Sequence, residues 1–115
     1  MNEVDISEIE NALKTQDSPT ELASYLTRLA AINSYRLEQL KKIQLIKPKI
    51  WLELKDETSA KPRTDKMVEM MWAFTDNGQA EIALTMELRR ITILYRSISK
   101  RLSALETEFR MSKNL

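Results

Sequence analysis

The stretch LTMELRRITILYRSISKRLSALETEF, residues 84–109, decides the fold. Within it Leu84, Leu88, Ile91, Tyr95, Ile98, Leu102, Leu105 and Phe109 follow one another at alternating steps of four and three residues. Those steps hold all eight side chains on one seam of an α-helix. One helix cannot bury such a seam alone. It predicts a long helical partner, supplied by an earlier part of the chain or by another copy, and the eight residues are expected to support a homo-oligomer. Tyr95, within the seam, reads as a core residue with a polar edge.

Upstream of the seam, start and stop signals divide the chain. Ser7, with Glu10 three residues on, predicts a short peripheral helix edged by Ile6, Ile9 and Leu13. Ser18-Pro19-Thr20-Glu21 combines an N-cap serine, a proline at the first helical position and a glutamate at the third. A long helix is expected from there toward Lys47, with Leu22, Leu26, Leu29, Ile32, Leu37, Leu40, Ile43 and Ile46 on its apolar stripe. Pro48 should end or kink it. Ile50, Leu52 and Leu54 alternate as in a strand, yet Ile46, Ile50 and Leu54 also continue a helical face, and a restarted or kinked helix is the preferred reading because no second strand offers itself. Lys55 to Arg63 is polar and contains Pro62, which marks a loop. Thr64 or Asp65 can cap a short helix bearing Met67, Val68, Met71, Trp72 and Phe74, and Thr75-Asp76-Asn77-Gly78 breaks the chain or caps the next helix, expected to reach about Ser112. The fold class is all-α: long antiparallel helices forming a hairpin or bundle, short accessory helices, and a coiled-coil-like last helix. One domain over 1–115 is expected, with an acidic N-terminal segment (1–17), a basic kinked helix (18–54), a loop (55–64) and C-terminal helices (65–115).

Composition restricts the chemistry. With no His and no Cys among 115 residues, imidazole acid–base catalysis, thiolate nucleophiles and the usual zinc ligands are lost together. Gly78 is the single glycine, which excludes a glycine-rich phosphate loop, and no acidic cluster has calcium-loop or two-metal spacing. A protein that is not an enzyme, without cofactor or metal, is expected. The N-terminus has no signal-peptide core and no apolar run approaches a membrane span, so a cytoplasmic protein without membrane contact is the expectation.

The net charge of +1 conceals segregation: residues 1–21 carry six acids against Lys14 alone, and residues 22–66 carry ten Lys/Arg against five acids. Arg36, Lys41, Lys42, Lys47 and Lys49 lie within fourteen residues, with Trp51 just beyond and Lys61, Arg63 and Lys66 downstream. Such cations neutralise phosphates in a salt-dependent, sequence-tolerant way. An aromatic beside them can stack on an unpaired base, although Trp51 between Ile50 and Leu52 also suits a core anchor. A second basic run, Arg89, Arg90, Arg96, Lys100 and Arg101, keeps its helix soluble or pairs with the acidic N-terminal segment. Met67, Met70 and Met71 beside Trp72 read first as an irregular part of the core and second as an adaptable docking patch.

At the basic segment the chain resembles the UvsY-type recombination mediators of tailed bacteriophages. The resemblance is carried by Arg36, Leu37, Glu38, Lys41, Lys42, Ile43, Lys47 and Lys49, by Asp65-Lys66-Met67-Val68, and by order and spacing over residues 36 to about 110. It implies a non-enzymatic accessory protein that binds single-stranded DNA, helps load a RecA-like recombinase, and displaces or remodels the single-strand-binding protein. It also implies a ring-like homo-oligomer, with DNA contact at Lys47 and Lys49 and with Lys41 and Lys42 adjacent. Two departures stand out: the cation pair brackets Pro48, with an extra residue before it, and the last helix carries a more regular heptad. The rival expectations are a small phage inhibitor or adaptor that binds a host or defence protein without nucleic acid, and a purely structural coiled-coil subunit.

Overall fold

The computed structural model describes residues 3–15, 17–56 and 60–113, with side chains from Ile6 onward. It is all-α, in the order α1 (Glu3–Ala12), α2 (Pro19–Lys55), α3 (Asp65–Phe74) and α4 (Asp76–Lys113). The side chains of Glu3 and Asp5, and the expected loop's Glu57, Thr58 and Ser59, lie outside the described residues.

The helix boundaries follow local chemistry. Ser18 precedes Pro19, the first residue of α2, and its hydroxyl receives the Glu21 amide at 3.5 Å. α2 runs without interruption through Pro48, so residues 50–54 are helical as preferred over the strand alternative, and of the two outcomes expected at the proline the helix does not end there. It ends where Asp56 turns to φ 52°, a left-handed residue of the kind that closes many helices. Thr64 caps α3 by accepting the Met67 amide at 3.2 Å. Only Thr75 separates α3 from α4. Its hydroxyl donates to the Trp72 carbonyl at 2.6 Å and accepts from the Gly78 amide at 3.0 Å, closing one helix and opening the next. A Cβ on Gly78 would lie 1.8 Å from the Trp72 carbonyl oxygen, so glycine here serves close approach of two backbones.

The chain divides into two compact units whose boundaries fall inside the long helices: residues 1–34 with 89–115, and residues 35–88. In the first, Ile6 and Ile9 of α1, Leu22, Leu29 and Ile32 of α2, and Ile91, Leu94 and Ile98 of α4 form the core, with Leu13, Leu26, Leu102 and Leu105 packed against it. α1 is therefore not peripheral, since Ile6 and Ile9 are fully buried. Nor does Ser7 start it; the Ser7 hydroxyl accepts from Arg90 at 3.2 Å from within the helix. Three of the N-terminal acids are paired locally. Glu10 pairs with Arg90, Glu8 with Arg28 at 3.3 Å, and Asp17 lies 3.9 Å from Arg101, which also donates to the Leu13 carbonyl.

In the second unit Ile43, Trp72 and Leu84 are the buried centre, with Leu40, Ile50, Trp51, Leu54 and Ala80 against them. The ion pairs Arg36–Glu87 and Lys47–Glu81 show the chain ascending in α2 while descending in α4, the expected antiparallel arrangement.

Of the two partners expected for the seam of α4, an earlier part of the chain covers six of its eight residues. Leu84, Ile91 and Ile98 are buried in the two cores, and Leu88, Leu102 and Leu105 are half-buried. Tyr95 and Phe109 instead are exposed, Tyr95 because the core line passes through Leu94.

Candidate nucleic-acid interface

The inward line of α2 in the second unit runs Arg36, Leu40, Ile43, Lys47, Ile50 and Leu54, at helical steps of four and three. Two of the six are cations. Their ammonium and guanidinium groups face α4, and each meets a carboxylate. Arg36 Nε lies 2.7 Å from Glu87 Oε2, with the two side chains only 12% and 13% exposed, and Arg36 Nη1 donates to Gln39 at 2.9 Å. Lys47 Nζ donates to Glu81 Oε1 at 3.1 Å and stands 5.7 Å and 5.3 Å from the ring centroids of Trp51 and Trp72. Trp72 Nε1 donates to the same Glu81 oxygen at 3.1 Å.

These positions revise the expected DNA-contact set. Arg36 and Lys47 are structural ion-pair partners in this chain, because helical register turns them inward and burial of a charge demands a counter-charge. Arg63 donates to the Leu54 carbonyl at 2.8 Å, a cation closing the C-terminal end of α2, and Lys61 is also engaged. Trp51 is half-buried against the core while bordering a recess lined by Gln44, Lys47, Pro48 and Glu81.

What remains outward is a smaller set. Lys41, Lys42 and Lys49 are exposed and make no ion pair among the described residues, and the same holds for Lys66 at the start of α3. At 3.6 residues per turn, Lys41, Lys42, Leu45, Lys49 and Leu52 fall within about 100° of one another, and Lys41 and Lys49 are separated by about 12 Å of rise. Leu45 is 81% exposed between them. Glu38 and Glu53 share this face, leaving three cations against two acids.

The methionine helix presents a second outward surface. Met67, Met70 and Phe74 are 51%, 59% and 82% exposed on one side of α3, while Val68 and Trp72 are buried on the other. The expectation that Met67 and Met70 belong to an irregular part of the core is thus corrected. The steps of three and four at Met67, Met70 and Phe74 are helical, but the buried side of α3 is the one that holds Trp72.

The chain matches no family model, and no curated protein or solved structure matches it. Among the described residues no helix is long and apolar enough to cross a membrane.

Proposed function

We propose that this protein is a non-enzymatic recombination mediator: it binds single-stranded DNA through the outer face of α2, helps load a RecA-like recombinase, remodels the single-strand-binding protein, and acts as a homo-oligomer. The observation that carries the DNA-binding part is the trio of ammonium groups, Lys41, Lys42 and Lys49, which make no ion pair among the described residues and share one exposed helix face. Their separations suit successive phosphates of a flexible strand, which folds to the protein more readily than a duplex does. Two acids on the same face keep the affinity of one copy low, so several copies on one strand are needed for useful avidity. The exposed Met67, Met70 and Phe74 are the surface for protein contacts, whether with another copy or with recombinase.

The test is binding of a labelled single-stranded oligonucleotide at low salt by wild type and by Lys41→Ala/Lys42→Ala/Lys49→Ala. Loss of at least tenfold in affinity, roughly what three phosphate contacts contribute, is expected. Equal affinity would remove this face from the interface. The exposed α3 surface also favours the adaptor reading, in which a host or defence protein docks there. That reading predicts no DNA binding at any salt and loss of the protein complex in Phe74→Ser.

A further inference from the structure

Beside Pro48 the second unit has a recess of about 420 Å³, lined by Gln44, Lys47, Pro48, Trp51 and Glu81. That volume lies in the range of small-molecule clefts, about 300–1,000 Å³. Its chemistry is unusual for a helix surface. Lys47 and Glu81 face each other at 3.1 Å and cancel in charge, so the recess favours neither a phosphate nor a free cation. Trp51 gives it an aromatic border.

The acceptors are not used up. A carboxylate offers about four lone-pair positions. Trp72 and Lys47 both donate to Glu81 Oε1, while Oε2 receives only the longer 3.4 Å contact from Lys47. An aromatic border, electrical neutrality and spare acceptor positions together describe a partner that is flat, uncharged and a hydrogen-bond donor.

We propose that this recess is a base-binding notch that takes one unstacked nucleobase bearing an exocyclic amino group, stacked on Trp51 with the amine donated to Glu81. The notch rests on the single-strand-binding reading above and deepens it. Lys41 lies seven residues before Pro48 on the same side of α2, where it holds the phosphate of the strand whose base enters. Cytosine offers its N4 amine to a carboxylate; thymine presents a carbonyl at the equivalent position.

The experiment compares oligo-dC and oligo-dT of about twelve nucleotides, a usual site length for a single-strand binder. Affinity and tryptophan fluorescence are read at about 50 mM salt, where phosphate contacts are strong. The wild-type protein should bind oligo-dC at least about tenfold more tightly, as one added hydrogen bond to a charged acceptor provides. Oligo-dC should also quench the tryptophan emission. Glu81→Gln should bring the two affinities together, and Trp51→Leu should weaken both and remove the quenching. If wild type binds the two oligonucleotides equally and without quenching, the notch is refuted while the phosphate face stands. If neither binds, the single-strand reading fails and the notch fails with it. The wild-type comparison decides the matter even if a variant loses its fold.

Discussion

Arg36 and Lys47 illustrate what helical register imposes on a single side chain. Each occupies a step of α2 that turns toward α4, and each is held there by a glutamate rather than released to solvent. Removing one member of a buried pair strands the other, which costs far more than the pair contributes. Arg36→Ala should therefore lower unfolding stability by about 3 kcal/mol, whereas Arg36→Met combined with Glu87→Leu should cost less than about 1 kcal/mol. Urea unfolding of the two variants checks this, and the double variant should keep its affinity for single-stranded DNA. Gly78 is constrained from another direction. With a Cβ at 1.8 Å from the Trp72 carbonyl oxygen, Gly78→Ala forces α3 and α4 apart. A loss of about 2 kcal/mol in the same measurement is expected.

At the scale of elements, α4 shows how far its seam can be read. The steps of four and three at Leu84, Leu88, Ile91, Ile98, Leu102 and Leu105 were sufficient to place a helix and its buried side, because helix periodicity and burial have the same cause. They could not say that Leu94 would replace Tyr95 at the core, which depends on the residues of α1 and α2 that α4 packs against. Ile98→Ala should cost about 3 kcal/mol, while Phe109→Ala, at a residue 66% exposed, should change stability by less than about 0.5 kcal/mol. Thermal unfolding distinguishes them. For α2 the apolar stripe holds at Leu40 and Ile43 but misleads at Leu37 and Ile46. Those two are exposed and two cations lie inward, a choice fixed by where Glu81 and Glu87 stand on another helix. No pattern within α2 carries that information. The caps at Ser18, Thr64 and Thr75 were legible, since each depends only on residues next to it. The role of α1 was not, because the burial of Ile6 and Ile9 is decided by partners in α2 and α4.

Over the whole molecule, the segregated charge has a structural meaning. Acids near the N-terminus meet Arg28, Arg90 and Arg101 in the first unit, and Glu81 and Glu87 neutralise Lys47 and Arg36 in the second. The outer lysines of α2, Lys41, Lys42 and Lys49, have no such partner among the described residues. The most direct test is the salt dependence of single-stranded DNA binding by wild type and by Lys41→Ala/Lys42→Ala/Lys49→Ala. The logarithm of the association constant should fall with the logarithm of salt concentration at a slope of about −2 for each bound copy, and the triple variant should flatten that slope toward zero. A triple variant that keeps both the wild-type slope and the wild-type affinity would contradict the assignment of phosphate contact to the outer face of α2.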